Sequence, residues 1–346
     1  MELRRRFRSN GHDYSYTAVV ASQNMMGIYD MVDKVAKSNV SVLLLGDTGV
    51  GKEIVAKELH HRSGRQGHFT PVNSVGIPED LLESLLFGKV KGAYTSAYSS
   101  SVGVFSYANN GTIFVDEIGE VGTRVQGKLL RVLQDNIVIP LGAESGKKVD
   151  VRVIAATNRN LPQDVGNQRF RQDLWYRISA VTIYIPPLRE RREEIPELLE
   201  YFTERFSREE KKGLLFSPEA VRLLIDYDWP GNIRELENFV RSTVLLHGLP
   251  VKEDAFPNPD RPTKNVVSPD DLDSLLLRLP HSKPQQPPQG SAQDLACLCN
   301  GTLEEIEKLA IELRLKSWNG NKMETARSLG LRRPLLYNKL KKYKID

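Results

Sequence analysis

The stretch "SVLLLGDTGVGKE", residues 41–53, decides the fold. Its first half is short, apolar and nearly continuous, the pattern of a strand buried on both faces. Its second half, Gly46-Asp47-Thr48-Gly49-Val50-Gly51-Lys52-Glu53, follows that strand and opens the helical segment "KEIVAKELHHRS". Strand, glycine turn and helix form the setting that a phosphate loop requires. The glycines let backbone N–H groups wrap phosphate oxygens, the helix N-terminus adds positive potential, and Lys52 reaches the terminal phosphates. Glu53 stands where Ser or Thr commonly offers a hydroxyl to Mg²⁺. On this pattern alone, a glycine-rich turn in another α/β fold stays open.

Outward from the loop, "TIFVDE" (112–117), "VRVIAATN" (151–158) and "AVTIYIP" (180–186) repeat the buried-strand pattern. Helical segments such as "RVQGKLLRVLQD" lie between them. Alternation of this kind predicts an α/β fold, a parallel sheet flanked by helices. Asp116 and Glu117 close the second strand, and in such sheets ligands sit outside the carboxyl ends of the strands. Asp116 is placed to hold Mg²⁺ and Glu117 to polarise an attacking water. Thr157 and Asn158 end the next strand beside the same edge, where Asn158 can sense a γ-phosphate or align the water.

The totals agree with a multidomain globular chain. It has 346 residues, 40% of them hydrophobic and 27% charged, and a net charge of +4. No apolar run is long enough to span a bilayer. Cys297 and Cys299 are too few for a metal site and read as free thiols of a reducing cytoplasm. The expected divisions are a basic N-terminal arm (1–18, with "ELRRRFR"), an α/β core (19–187), a helical lid (188–250), a Pro/Gln-rich extended linker (251–300) and a C-terminal helical domain (301–346). Nine of the nineteen prolines fall between 250 and 290, which is the basis for the linker.

From Leu313 to Asp346 there are ten Lys/Arg against two acids, so a nucleic-acid contact is expected at this end. Leu303, Ile306, Leu309 or Ala310, and Leu313 recur at helical spacing. Asn319-Gly320-Asn321 turns the chain, Gly330 ends a short second helix, and a basic third helix follows with Leu336 and Leu340 inward. That is a helix-turn-helix. Arg332, Arg333, Asn338 and Lys339 are the candidates for base or phosphate contact on double-stranded DNA. Lys341, Lys342 and Lys344 suit phosphates.

Read in order, "GDTGVGKE", "PVNSVGIPEDLLESLLFG", "KGAYTSA", "GTIFVDEIGE", "VRVIAATN", "FRQDLWYRI", "PPLRERREEI" and "WPGNIRELEN" resemble the NtrC-like bacterial enhancer-binding proteins. These are AAA+ ATPases that activate sigma-54 RNA polymerase. The resemblance runs from about Val19 to Leu249 and from Thr302 to the end, where the sequence is similar to a Fis-type domain. Glu after the phosphate-loop lysine is normal in that family. The resemblance implies ATP and Mg²⁺ as ligands and Asn73 as the switch asparagine that hydrogen-bonds the catalytic glutamate. It implies Arg171 and Arg177 as paired arginine fingers acting on a neighbour's site, Arg234 as the sensor arginine of the lid, and a ring, usually a hexamer.

The family's mobile GAFTGA tongue, which touches sigma-54, appears here as Gly92-Ala93-Tyr94-Thr95-Ser96-Ala97. Tyr94 keeps the aromatic ring and Thr95 is retained. Ser96 replaces a glycine, so a Cβ is strained there if the backbone needs positive φ. In the third helix Arg332 and Leu335 stand where the family commonly has Ser and Thr, so the DNA site read is expected to be unusual. Some eighteen residues precede the ATPase segment, from which control by a separate regulatory protein or by expression is expected. The alternative is a DNA-binding regulator that binds ATP but, through Ser96, does not act on sigma-54. An unrelated AAA+ remodeller accounts for the core but not for the tongue or the basic C-terminal helices.

Overall fold

The computed structural model describes residues 4–7, 16–93, 99–250 and 265–276. Near the C-terminus it describes Lys308, Ile311, Leu315, Lys322, Lys339, Leu340, Lys342 and Tyr343. The chain forms two units, 1–279 and 280–346.

The first unit begins with β1 (Arg4–Phe7) and β2 (Tyr16–Val19), an antiparallel pair with Arg4 opposite Val19. The basic stretch expected as an arm is therefore paired over Arg4–Phe7. The aromatic and β-branched "YTAV" supplies the partner. Ser22 then caps α1 (Gln23–Ala36), its Oγ accepting from the Met25 N–H, and Met25, Tyr29, Val32 and Ala36 form the buried stripe.

The core follows as β3 (Val42–Leu45), α2 (Lys52–Ser63), β4 (Phe69–Asn73) and α3 (Glu79–Phe87). Next come the paired β5 (Gly88–Lys89) and β6 (Ser101–Val102), α4 (Val104–Tyr107), β7 (Thr112–Asp116) and α5 (Thr123–Asp135). The hairpin β8 (Ile137–Val138) and β9 (Lys147–Lys148), then β10 (Arg152–Thr157), α6 (Leu161–Gly166), α7 (Gln172–Ile178) and β11 (Val181–Tyr184) complete it.

Five strands form one parallel sheet in the order β11-β3-β10-β7-β4. In the three central strands, β3, β10 and β7, side chains alternate between two buried faces. Leu43, Ile113, Val115, Val153 and Ala155 join the core with Leu82 and Leu86 of α3 and Leu129 of α5. Val42, Leu44, Phe114, Ile154 and Ala156 join Met25 of α1 and Val55 and Leu59 of α2. Burial on both sides explains why these strands are apolar at nearly every position. Arg152, buried at the start of β10, is the exception. Its guanidinium donates to the Ala36 and Val35 carbonyls at the end of α1, and burial lowers its pKa to about 10.

His60 makes this core acid-sensitive. Its Nδ1 lies 2.9 Å from Thr112 Oγ1 of β7. Burial first, then the positive neighbours His61, Arg65, Arg152 and His68, lower its pKa from 6.5 to about 4. Between those values the unfolded chain binds a proton that the folded chain does not, so stability falls as pH drops through that window. Urea unfolding at a series of pH values checks this. His60→Gln should flatten the slope between about pH 6.5 and 4, and an unchanged slope would assign the acid sensitivity elsewhere.

The lid comprises α8 (Ile195–Glu210), β12 (Lys212–Phe216), α9 (Pro218–Asp226), α10 (Asn232–His247), β13 (Leu249–Pro250), β14 (Asn265–Val267) and α11 (Pro269–Leu276). Phe202, Phe206, Leu224, Trp229, Leu236 and Phe239 centre its core. β14 and α11 correct the extended linker expected over 251–300. β14 pairs in parallel with β12, Leu215 opposite Val266, and Val267 and Leu272 are buried in the lid core. The proline count misled because Pro269 is a first-turn proline, a position that needs no N–H. Ser268 before it donates from both N–H and Oγ to Asp271 Oδ2.

In the second unit the eight described residues are helical; Ile311, Leu315 and Leu340 are buried, and Lys308 and Lys342 are exposed. Leu340 faces inward as expected.

Candidate nucleotide site

The phosphate loop leaves the end of β3, between β10 and β11. Its glycines are needed where they stand. Gly46, Gly49 and Gly51 have φ of 157°, 80° and 100°, and at Gly49 a Cβ would stand 2.5 Å from the Gly231 carbonyl oxygen of the lid. Gly51 hands the chain to α2, whose first residue is Lys52.

The Lys52 side chain is only 6% exposed, and its ammonium donates to the Gly46 carbonyl at 2.9 Å and to Glu117 Oε1 at 3.2 Å. The strand pairing brings the other groups to the same edge. Thr157 lies opposite Leu45, and Asn73 lies opposite Asp116. Asp116 accepts the Glu117 N–H at 3.1 Å. Burial first and the adjacent Glu117 second raise its carboxyl pKa above the ordinary value, against the pull of Lys52.

Glu117 sits in the left-handed region at φ 54°, a strained conformation for a side chain of this kind and one that clusters at functional sites. Its Oε2 accepts the Asn158 N–H at 3.2 Å, and the Asn158 amide donates to Thr48 Oγ1 at 3.2 Å. Lys52, Asp116, Glu117, Asn158 and the loop therefore converge on one cleft of about 970 Å³, lined also by Asn73, Glu53 and Arg234. Glu53 pairs with Lys57 at 2.8 Å.

Among the described residues, no group of three or more His, Cys, Asp or Glu is arranged to hold a metal. Mg²⁺ keeps waters and leans on substrate phosphates with one or two carboxylates. Asp116, half-buried at the strand end, is a carboxylate that could do so.

The structure places the remaining candidate residues as follows. Asn73 does not bond Glu117 here. Its Oδ1 accepts the Val75 N–H at 2.9 Å, closing the turn after β4, while the Glu117 oxygens are taken by Lys52 and Asn158. Arg171 and Arg177 do not line the cleft of their own chain. Arg171 forms a two-point pair with Asp173 (2.7 and 3.0 Å), and its N–H is held by the buried Gln126 at 2.8 Å. Arg177 donates from Nε and Nη2 to the Leu133 carbonyl at 3.2 and 2.9 Å. Arg234, exposed in the first turn of α10, does line the cleft.

Of the tongue, Gly92 (φ 83°) and Ala93 leave the β5–β6 stem, while Tyr94, Thr95, Ser96 and Ala97 lie outside the described residues. Arg332, Arg333, Asn338 and Lys341 also lie outside them. Lys339 is half-buried and Lys342 exposed, both helical.

Sequence reasoning missed Arg191 and Asn232. Asn232 is fully buried at φ 55°, donates from Nδ2 to the Thr48 carbonyl at 3.0 Å and accepts the Leu188 N–H at 2.8 Å. Arg191, also buried, donates to the Val50 carbonyl at 2.6 Å. Both stand in segments quoted for the resemblance, where a charged run and a turn asparagine read as surface.

A parallel sheet in this order, a phosphate loop, an acidic strand end, a polar neighbour and a helical lid over the cleft define a P-loop nucleoside triphosphatase of the AAA+ class. Comparison with known proteins narrows this. Residues 18–184 match the sigma-54 interaction domain, 189–283 the AAA+ ATPase lid domain and 302–343 the Fis family of bacterial regulatory proteins.

The chain is 42% identical over 322 residues to the transcriptional regulatory protein ZraR of Klebsiella oxytoca, covering 92% of this chain and 67% of that one. It is 40% identical over 344 residues to the transcriptional regulatory protein XylR of Pseudomonas putida, covering 97% and 59%. The structure of NtrX from Brucella abortus in complex with ATP superposes with a TM-score of 0.65 at 30% identity, covering 95% and 69%. The chain thus spans about three fifths of XylR and two thirds of ZraR. It belongs to the NtrC-like family of sigma-54-dependent regulators.

Among the described residues, no helix is long and apolar enough to cross a membrane.

Proposed function

We propose that this chain is a sigma-54-dependent transcriptional activator of the bacterial cytoplasm. It binds an upstream site on double-stranded DNA through residues 302–346. It hydrolyses ATP in a ring, a hexamer by family resemblance, and uses the hydrolysis to remodel closed promoter complexes through the tongue at 92–97. The observation that carries the reading is the convergence of Lys52, Asp116, Glu117 and Asn158 on the phosphate-loop cleft, in a chain whose tongue stem rises from the same core.

The roles follow from chemistry. The loop amides and Lys52 bind and orient the triphosphate. Asp116 would hold Mg²⁺, which when bound supplies charge neutralisation on the phosphates. Glu117 orients water and takes its proton. Its bond to Lys52 must yield as Lys52 turns to phosphate, which frees the carboxylate for that task. Asn158, held to Thr48, fixes Glu117 through its backbone N–H. Arg234 approaches from the lid, where a guanidinium can meet phosphate charge. Arg171 and Arg177 lie away from their own cleft, which supports their acting on a neighbour's.

Open-complex formation on a sigma-54 promoter with ATP is the test. Thr95→Ala should leave ATPase activity within about twofold, and open complexes should fail. If open complexes persist, the tongue is not the coupling element. Ser96→Gly in the same assay reads the alternative: a silent wild type restored by glycine would mean that Ser96 has disabled the tongue.

A further inference from the structure

In a trans peptide the carbonyl of one residue and the N–H of the next point to opposite sides. The described chain has no cis peptide bond. Three consecutive carbonyls of the phosphate loop are held by the segments that carry the lid. Thr48 O accepts from Asn232 Nδ2 at 3.0 Å, Gly49 O from the Ile233 N–H at 3.0 Å, and Val50 O from Arg191 Nη2 at 2.6 Å. Three peptide planes are thereby fixed, and the N–H groups of Gly49, Val50 and Gly51 are turned to the side away from those donors.

The donors are themselves over-determined. Asn232 takes a left-handed conformation that asparagine tolerates, and its Oδ1 is fixed by the Leu188 N–H. Arg191 Nη1 pairs with Glu194 Oε2 at 3.0 Å. Glu194 Oε1 in turn accepts from Ser22 Oγ at 2.8 Å and from the Ser22 and Ala21 N–H groups at 3.3 and 3.4 Å. Ser22, Arg191, Glu194 and Asn232 are all at most 1% exposed. Removing one member of such a network leaves buried groups unmatched, so the network holds one geometry.

We propose that Asn232 and Arg191 are positioning residues for phosphate binding: from the lid side they hold the loop carbonyls outward and so present its amides to the phosphates. This rests on the nucleotide reading above and deepens it. It makes lid placement and phosphate affinity two sides of one equilibrium, since a lid that shifts releases the peptide planes and bound phosphate restrains the lid in return. Arg191 and Arg234 both line the cleft, but Arg234 is exposed there, whereas Arg191 and Asn232 are buried and act through the loop backbone.

The test uses the full chain with Asn232→Gly, which keeps the backbone conformation, and Arg191→Lys, which keeps the charge beside Glu194. Each should raise the Kd for ATP and for ADP roughly tenfold, the size of one lost hydrogen bond. Each should also shrink the rise in Tm that saturating ATP produces in the unmodified chain. A lower Tm without nucleotide combined with an unchanged ATP Kd would mean a merely structural role and overturn the proposal.

Amide hydrogen exchange of the unmodified chain keeps the proposal falsifiable if a variant does not fold. ATP should slow exchange at Ile233, whose N–H is spent on Gly49, and equal exchange with and without bound ATP would overturn it. An unmodified chain that binds neither ATP nor ADP would instead remove the nucleotide reading itself.

Discussion

Glu117→Gln should abolish ATP turnover while ATP stays bound. A general base contributes about 10²–10⁴-fold to such a step, so phosphate release should fall by at least two orders of magnitude. The amide keeps the length and the planar end of the carboxylate, and its oxygen can still accept the Asn158 N–H. It cannot take a proton from water. It also loses the charge that holds Lys52 at 3.2 Å, so Lys52 is freer to meet phosphate and ATP should bind as tightly as before or tighter. Phosphate release and equilibrium nucleotide binding, measured on the same preparation, separate the two effects. Turnover within tenfold of the unmodified chain would place the base elsewhere; loss of binding together with turnover would make Glu117 a structural anchor of Lys52.

That experiment concerns the part of the molecule that was legible from sequence. The four strand segments read from apolar runs are β3, β7, β10 and β11; the first three are buried on both faces and leave no alternation to decode, whereas β11, read the same way, is an edge strand with Thr182 and Tyr184 exposed. β4 is harder to read: Thr70 and Pro71 are more exposed than Phe69 and Val72, which suits an edge strand. The loop and the acidic strand end were legible because glycine at positive φ and carboxylates at a strand terminus are demands of chemistry, visible one residue at a time.

What was not legible depends on pairs far apart in the chain. Arg191 in "LRERREE" looks like one of several solvated charges. Nothing local says that it is buried together with Glu194 and spent on Val50 O, 141 positions away. Asn232 follows Pro230-Gly231 and reads as a turn residue; that its left-handed backbone aims an amide at Thr48 O, 184 positions back, is a tertiary fact. Residues 265–276 failed for the opposite reason. Their one proline, Pro269, was counted with the composition of the segment, whereas Ser268-Pro269 with Asp271 is a helix start.

Trp229→Ala should be the most damaging substitution in the lid, and its effect should reach the nucleotide. Among the described residues Trp229 is the largest fully buried side chain. It packs edge-on against Tyr227 and Phe239 at 5.0 and 5.7 Å, and its Nε1 donates to the Leu224 carbonyl at 2.8 Å. Truncation of such a ring in a core costs about 3–5 kcal/mol, a large share of the stability of any domain. The residue also has φ 46°, which alanine adopts no more readily, so nothing is recovered at the backbone.

The position matters as much as the size. Trp229 is three residues before Asn232, and its own carbonyl accepts the Asn232 N–H at 2.7 Å. The ring thus anchors the turn that delivers Asn232 and Ile233 to the phosphate loop. Losing it should lower the denaturation midpoint and weaken ATP in the same variant. Trp229→Phe, which keeps most of the ring and loses the indole hydrogen bond, should cost about 1 kcal/mol and leave ATP binding close to normal. Urea unfolding with and without ATP measures both. If the alanine variant lost stability yet bound ATP with unchanged affinity, the lid and the phosphate loop would be energetically separate, and the loop's geometry would have to come from the core alone.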